Sequence, residues 1–268
     1  MSAVTVVLEW QFSPPDYFEE PITISRKDYV MVIDSGHVEA TIASATYDAA
    51  PSMRTSLHEA LNDRMHGVQL LSHRPFELLK PTVIRLHPDG RRDISVELEG
   101  GQLKLSSGVV DVQVIDKDGN VVSDSKRDRI EKKKSLAELV SMYLAGDVLL
   151  TSLLNSYDAG VRDPDNELVH LYEIRESLSA HFGSEVSARA TLGLSPSEWS
   201  RLGQLCNSEP LRQGRHRGKS VGVLRDATEV ELAETRGIVR GMIEAYLRHK
   251  SGKQSGPIPL TTAGTGGP

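Results

Sequence analysis

From Lys126 to Leu154 the chain is KRDRIEKKKSLAELVSMYLAGDVLLTSLL, and the pattern of the sequence changes at the start of this stretch. Its first nine residues include six basic and two acidic side chains, and they lead into a strongly apolar segment that favours a helix. Before Lys126 apolar and polar residues alternate with a period of two, which is typical of strands, whereas after it the period is about 3.6, which is typical of helices. The sequence therefore predicts an α+β fold with segregated halves, a β-rich N-terminal domain followed by an all-α C-terminal domain.

The N-terminal half contains short runs of β-branched and apolar residues separated by turn residues. A helix is predicted from Met53 to Met65, where apolar residues recur at four-residue spacing, and Gly67 is expected to end it. The predicted strands are Val4–Trp10, Ile22–Ser25, Tyr29–Ile33, Val83–Leu86 and Asp93–Leu98. Turn residues at Pro88–Gly90 and at Asp118–Gly119 predict two hairpins.

The C-terminal half carries helix-capping signals. The predicted caps are Ser195 with Glu198 for one helix, Asp165 for the helix before it, and either Asp226 with Glu229 or Thr228 with Glu231 for the last long helix. Gly183 is expected to close the helix that Asp165 starts. The predicted core positions of the last helix are Val230, Ile238, Met242, Tyr246 and Leu247.

These signals divide the chain into a β-rich recognition or regulatory domain at 1–125, a helical domain at 126–250 and a tail at 251–268. The tail is rich in Gly, Pro, Ser and Thr and is expected to be disordered. The basic run from Lys126 to Lys134 has two interpretations, an exposed linker helix whose lysines are solvated or a surface for RNA or another anionic partner. The linker is favoured because charge runs are common at domain boundaries.

Composition limits the classes of function. The 268-residue chain has a formal net charge of −6, which excludes a uniformly basic nucleic-acid coat but leaves room for local basic patches. The single cysteine, Cys206, excludes a disulfide framework, and a buried thiol is expected rather than a reactive one. No apolar run reaches the roughly twenty residues of a spanning helix and the N-terminus lacks a secretory pattern, so a cytoplasmic protein without membrane contact is expected. The histidine spacings match no metal motif, so neither metal nor cofactor is expected.

One segment, NSEPLRQGRHRGK from Asn207 to Lys219, is rich in residues that bind or act on phosphate. Against a single acid it carries Arg212, Arg215, His216, Arg217 and Lys219. Arginine offers a planar fork of donors for phosphate, and a neighbouring histidine can transfer protons near neutral pH. The alternative is a structural loop in which Arg212 or Arg215 pairs with Glu173 or Glu176 on an earlier helix.

The segment from about Ser135 to Lys250 resembles a HEPN-type helical domain. The carriers of the resemblance are LVHLYEIRESLSAHFG, LGLSPSEWSRLGQLCNSEPLRQGRHRG and LRDATEVELAETRGIVRGMIEAYLRH, beginning at Leu168, Leu192 and Leu224. Their order suggests a helix, a capped helix, an Arg/His loop and a long closing helix. The resemblance implies an RNA-directed protein, and in its catalytic form a metal-independent endoribonuclease of the toxin or defence type.

Ribonucleases of this family carry an arginine and a histidine with four to six residues between them, and a polar residue commonly follows the arginine. Arg212, Gln213 and His216 follow this order, with three residues between the arginine and the histidine. Arg175 and His181 form a second pair with five residues between them. We rank it lower because it lies inside a predicted helix and lacks basic surroundings.

The resemblance also implies roles for these side chains. His216 would accept a proton from a ribose 2′-hydroxyl or hydrogen-bond the phosphate, while Arg212 would stabilise the charge of the transition state. The residues implied to hold the RNA backbone are Arg215, Arg217, Lys219 and Asn207.

Active sites of HEPN proteins assemble across a dimer, so a homodimer through the helical domain is expected. Gly237 and Gly241 lie four apart on the last helix and would permit close helix approach. Tight packing of these glycines inside the monomer is the favoured alternative. Two other functions stay open: a non-catalytic dimerisation or interaction module, and a small-molecule sensor at the domain junction.

Overall fold

The structure, a computed structural model, describes residues 4–89, 91–95, 113–115, 121–219 and 222–252. It confirms an α+β fold with a β-rich N-terminal part and a helical C-terminal part. The chain forms two compact units, one made of the residues up to Ser72 with Phe76–Ser141, the other of His73–Pro75 with the residues from Met142 onward. Among the described helices, none is long and apolar enough to cross a membrane. The predicted tail from 253 onward and the turn at 118–119 lie outside the described residues.

The first unit is built on an antiparallel sheet. Its strands are β1 (Thr5–Ser13), β2 (Ile22–Ser25), β3 (Tyr29–Asp34), β4 (His37–Ala43), β5 (Glu77–Leu78), β6 (Thr82–Leu86) and β7 (Arg92–Ser95). The strand order is β2-β3-β4-β1-β6-β7, and β5 pairs with the far end of β1. A separate hairpin joins β8 (Gln113–Ile115) to β9 (Val121–Asp124). The predicted pairing of the strands around Pro88 is confirmed, since β6 and β7 are antiparallel partners.

One face of the sheet packs against a helix. Two helices follow β4, α1 (Ser44–Ala49) and α2 (Met53–Ser72). Alternate residues of β1 and the apolar stripe of α2 form the core of Val6, Leu8, Trp10, Phe12, Leu57, Leu61, Met65 and Val68. Because strand side chains alternate between faces, the remaining residues of β1 and β4 point away from α2. That second face carries polar side chains such as Glu9, His37 and Glu39.

Helix α2 does not end at Gly67, and this expectation was wrong. The helix continues to Ser72, and Gly67 lies within it against α3 (Ser125–Tyr143). A Cβ atom at position 67 would lie 2.6 Å from both the Leu136 carbonyl oxygen and the Ala137 Cα. Glycine is therefore required here by close backbone approach rather than by the end of a helix.

The basic run is helical, as part of α3, but it is not an exposed linker with solvated lysines, which corrects the favoured interpretation. Arg129 and Lys133 both pair with Glu19, at 2.6 and 2.5 Å, and Lys134 pairs with Glu20 at 3.2 Å. Lys133 is buried. The hydrogen bond from Arg129, opposed by burial and aided by Lys133, lowers the pKa of Glu19 to about 2. The run therefore ties α3 to the first unit, and the units divide after Ser141 rather than at the change of sequence pattern.

The apolar segment after the basic run forms two helices rather than one. Helix α3 ends at Tyr143 and α4 (Val148–Arg162) starts after Asp147. Gly146 has a φ of +81°, which favours glycine, and the Asp147 side chain accepts a hydrogen bond from the Leu150 N–H. A left-handed glycine followed by a capping aspartate thus breaks an otherwise helical stretch.

The second unit is helical. Besides α4 it contains α5 (Glu167–His181), α6 (Glu185–Leu192), α7 (Pro196–Gly203) and α8 (Glu229–Lys250). The caps at Ser195 and Thr228 are confirmed, and Thr228 forms a full capping box with Glu231. Asp165 is not a cap, because the chain forms a 3-10 turn at Pro164–Asn166 before α5 begins. Met242, Tyr246 and Leu247 are buried as predicted, whereas Val230 is exposed.

Candidate functional site

The Arg/His loop is fastened to the end of the preceding helix. A five-residue π-helical turn, Gln204–Ser208, follows α7. The Arg215 N–H donates to the Cys206 carbonyl at 2.9 Å, and a Cβ at Gly214 would lie 3.1 Å from that same oxygen. Glycine at 214 therefore lets the loop fold back closely on Cys206. The Cys206 thiol is buried, and burial raises its pKa to about 12, which is consistent with the expected unreactive cysteine.

The other side of the loop is fastened to the segment before α8. Leu211 and Arg225 form a parallel β-bridge, with hydrogen bonds from Arg212 N–H to the Arg225 carbonyl and from Arg225 N–H to the Pro210 carbonyl. The Gln213 side-chain oxygen accepts from the Ala227 N–H at 3.0 Å. The polar residue that follows Arg212 therefore holds the start of α8 in place.

Arg215 is a structural side chain. Its guanidinium donates to Glu176 at 2.6 Å and lies 4.7 Å from the centre of the Tyr172 ring. This is the pairing with an α5 carboxylate that the structural interpretation of the loop expected. A cation over an aromatic face adds to the ion pair, so Arg215 clamps the loop to α5.

Arg217 is also anchored. Its guanidinium donates to the Gly214 carbonyl at 3.0 Å, to the Asp165 carbonyl at 3.4 Å and to the Asn166 side chain. These contacts join the loop to the 3-10 turn before α5. Arg215 and Arg217 therefore fix the backbone on both sides of residue 216, and both guanidinium groups already have partners within the protein.

The side chains of His216 and Arg212 both face solvent. The His216 side chain is exposed, and within the described parts of the chain its ring makes no hydrogen bond or ion pair. Arg212 contacts Asp226 at 3.4 Å, and the two side chains are 62% and 74% exposed. Ion pairs this exposed contribute little to stability and are easily exchanged. The two predicted catalytic side chains are thus both accessible.

Asn207 and Lys219 are the other two residues that were predicted to contact RNA. Asn207 lies in the π-helical turn, and its side-chain oxygen is buried without a hydrogen-bond partner among the described residues. Lys219 ends a 3-10 turn that begins at Arg217, and its side chain lies outside the described part of the structure.

The side chains of the second pair, Arg175 and His181, pack against different residues of the helical unit. Arg175 lies between the rings of Tyr172 and Trp199, at 5.2 Å from each, and pairs with Glu185 at 2.9 Å. His181 ends α5 and packs edge-on against Tyr246, with 6.1 Å between the ring centres. Arg175 is fully engaged in packing, so this pair does not form an Arg/His site within one chain.

His181 instead lines a cleft of 590 Å³ at the start of α4. The titratable side chains of this cleft are Asp147, His181, Tyr246, His249 and Lys250. Asp147 accepts from the Tyr246 hydroxyl at 3.0 Å and from Lys250 at 3.0 Å. Burial alone would raise the pKa of Asp147, but these bonds and that from the Leu150 N–H lower it. Its negative charge is therefore already neutralised by the protein.

A buried polar cluster that the sequence did not reveal joins four segments of the second unit. The Glu167 carboxylate is only 1% exposed and accepts two bonds from Arg236, at 2.6 and 2.8 Å. His73 contacts Glu167 at 3.3 Å with one ring nitrogen and the Tyr157 hydroxyl at 3.3 Å with the other. Burial raises the pKa of Tyr157. No motif marks this cluster, because its members lie far apart in the sequence.

Comparison with known proteins does not assign the chain to a family. No protein-family model, no curated protein and no solved structure matches it. The HEPN resemblance therefore rests on the three quoted segments and on the order of the helices.

Proposed function

We propose that the helical unit binds single-stranded RNA at the exposed edge of the 207–219 loop and cleaves it, with His216 as the proton-transferring group. The observation that carries the proposal is the contrast within the loop. His216 is exposed and makes no bond among the described residues, while Arg215 and Arg217 on either side of it are both anchored. An accessible imidazole on a fixed backbone is the arrangement that acid–base catalysis requires.

The chemistry follows from the two exposed groups. The neutral imidazole of His216 accepts the proton of a ribose 2′-hydroxyl, and the 2′-oxygen attacks the adjacent phosphorus. The bond to the 5′-oxygen breaks, that oxygen takes up a proton from water, and the protonated His216 returns its proton to solvent. The products are a 2′,3′-cyclic phosphate and a 5′-hydroxyl. Arg212 stabilises the negative charge that builds up on the phosphate oxygens.

Arg212 can reach a phosphate at little cost. Its partner Asp226 is 74% exposed, and an ion pair of this kind is worth less than about 1 kcal/mol. An RNA phosphodiester offers a pair of oxygens that share one negative charge, as a carboxylate does, so it can replace Asp226 as the partner of the guanidinium. Asn207 and Lys219, two other polar residues of the loop, are proposed as further contacts to the RNA.

The test is a cleavage assay with a labelled single-stranded RNA in the presence of EDTA. Removing a general base lowers rates by about 100-fold or more, and removing a charge-stabilising donor by about as much. We expect wild-type cleavage, and losses of this size in His216→Ala and Arg212→Ala. The matched control is His181→Ala, another exposed histidine of the same unit, which should cleave like the wild type.

The outcomes separate the alternatives. Cleavage that survives in His216→Ala and disappears in His181→Ala would contradict the proposed site. It would place the active site in the cleft at the start of α4 that His181 lines. RNA binding without cleavage by the wild type would contradict catalysis and leave an RNA-binding module. No RNA binding by folded protein would contradict both parts of the proposal.

A second function, dimerisation through α8, is favoured by a separate observation. Cβ atoms added at Gly237 and Gly241 would meet nothing within 4 Å in the described part of the structure. This overturns the favoured interpretation that these glycines pack tightly inside the monomer. Glycines four apart on an open helix face allow a second helix to approach closely.

Sedimentation of the full chain tests this second function. A homodimer is expected for the wild type, and Gly241→Leu should shift it toward monomer because the added side chain separates the helices. Ser251→Leu, beyond the helix end, serves as the control for added apolar surface. A monomeric wild type at high protein concentration would contradict the dimer.

A further inference from the structure

Three side chains with metal-binding atoms meet on the face of the sheet that points away from α2. They are Glu9 on β1 and His37 and Glu39 on β4. One ligand atom from each lies within 4.8 Å of the other two. Glu9 is half-buried, whereas His37 and Glu39 are exposed. The group is thus compact and accessible from solvent.

The register of the sheet produces this convergence. Glu9 is the direct cross-strand partner of Glu39, and His37 is paired with the next outward residue of β1, Gln11. Directly opposed residues have Cβ atoms about 5 Å apart, and diagonal neighbours remain within reach of long side chains. His37 and Glu39 are two residues apart on one strand and therefore share a face.

The backbone beneath these side chains is fixed. The residues between and beside them, Leu8, Trp10, Val38 and Ala40, are fully buried in the core on the other face. Strands β1 and β4 pair over seven consecutive residues. A ligand set carried by packed strands is held more precisely than one carried by a loop.

The negative charges of Glu9 and Glu39 lie close together on this face of the sheet. Two carboxylates placed directly opposite each other across a strand pair repel. Within the described ranges, neither Glu9 nor Glu39 forms an ion pair with a lysine or an arginine. Thr41 donates to one oxygen of Glu39 at 3.3 Å, which orients that carboxylate in the way that outer hydrogen bonds orient metal ligands. A bound cation would relieve the repulsion.

We propose that Glu9, His37 and Glu39 bind a divalent transition-metal ion, for which Zn²⁺ is the best match. Zinc is bound by histidine nitrogen together with carboxylate oxygen, and three protein ligands leave its fourth position open to water. Mg²⁺ and Ca²⁺ prefer six or more oxygen ligands, which this trio does not provide. The imidazole of His37 therefore selects for a transition metal. The open position faces solvent and can take water or an anionic group.

The test is a calorimetric titration of the full-length chain with ZnCl₂, after removal of metal by chelator and dialysis. One zinc per chain is expected to bind the wild type. Loss of an outer-shell group already weakens metal sites by about 10-fold or more, so loss of a ligand in His37→Ala or Glu9→Gln should weaken binding at least as much. His249→Ala, which removes an exposed histidine of the other unit, should bind zinc like the wild type. MgCl₂ in excess should not displace the zinc.

A spectroscopic readout identifies the site. Zinc should shift the imidazole signals of His37 in a histidine-ring NMR spectrum, the assignment coming from the signals missing in His37→Ala. Absence of zinc binding, undiminished binding by both variants, or a His37 signal that zinc leaves unchanged would each overturn the proposal. Cleavage of RNA is assayed in EDTA, so failure of the zinc site and failure of the ribonuclease are separate results.

Discussion

Glu167 on α5 and Arg236 on α8 form a two-bond ion pair whose carboxylate is almost completely buried, with N–O distances of 2.6 and 2.8 Å. His73 provides a third contact to the same carboxylate. The pair links the start of α5 to the middle of α8. Since the 207–219 loop is clamped onto α5 by Arg215, this pair supports the scaffold on which His216 is displayed.

The first prediction concerns this ion pair. Glu167→Gln should lower the free energy of unfolding by about 2 kcal/mol, because Arg236 loses a buried, two-bond charged partner and keeps only the exposed Glu229. Glu234→Gln, which breaks the more exposed pair with Arg201, is the matched control and should cost less than about 1 kcal/mol. Urea denaturation measures both. Equal costs for the two variants would contradict the structural role assigned to Glu167.

The second prediction concerns pH and Glu19. Its ordinary pKa is 4.5, and the hydrogen bond from Arg129, against the effect of burial and together with Lys133, lowers it to about 2 in the folded chain. A lowered pKa means that the ion pair stabilises the fold above about pH 4.5 and that this stabilisation is lost as the pH falls toward about 2. Up to about 3 kcal/mol is involved.

Unfolding measured at several pH values checks this assignment. Glu19→Gln should be less stable than the wild type near neutral pH, and the two should converge in acid. A difference that stays constant from neutral pH to about pH 2 would show that the Glu19 charge is not the source of the stability.

The third prediction compares two glycines inside helices. Gly67→Ala should destabilise the protein by about 1 to 3 kcal/mol, because the new Cβ would meet the backbone of α3 at 2.6 Å. Gly160→Ala on α4 should instead stabilise it by up to about 1 kcal/mol. There the nearest atom to the new Cβ is a Leu171 side-chain carbon at an ordinary 3.5 Å, and alanine favours the helix. Thermal denaturation of the two variants measures whether each is more or less stable than the wild type. A stabilising Gly67→Ala would contradict the close contact between α2 and α3.

The fourth prediction concerns the opposed carboxylates of the sheet in the absence of metal. Glu9→Lys should stabilise the metal-free chain by about 0.2 to 1 kcal/mol, because it replaces a repulsive cross-strand pair by an attractive one with Glu39. Gln11→Lys, on the same face of β1, adds the same charge opposite His37 and should give no such gain. A Glu9→Lys variant that is less stable than the wild type would argue against repulsion at this place.

Local signals in the sequence predicted most of the elements. The strands at 22–25 and 29–34 follow β-branched patterns, and Thr228 caps α8 through the predicted box with Glu231. Such features depend on neighbours within a few residues. The break between α3 and α4 was missed because the apolar pattern continues through Gly146, whose left-handed backbone stops the helix.

Long-range contacts could not be predicted. Lys133 contacts Glu19, which lies 114 residues away in the sequence. Because of this contact, the basic run packs against the rest of the first unit and is not the exposed linker that was expected. The loop at 207–219 was recognised from its composition, but composition does not tell an anchored arginine from a free one. Only the positions of Glu176 and Asn166 show that Arg215 and Arg217 hold the loop while Arg212 and His216 remain accessible.

Analysis of the RNA ends produced by the full-length protein in EDTA tests the proposed function most directly. A labelled RNA and the same oligonucleotide with a 2′-deoxy substitution at the cleavage position would be treated with wild type and with His216→Ala. The proposed chemistry predicts 2′,3′-cyclic phosphate ends, protection by the 2′-deoxy substitution, and product formation that is about 100-fold slower or more in His216→Ala. Cleavage at the 2′-deoxy position, or product formation by His216→Ala at the wild-type rate, would contradict it.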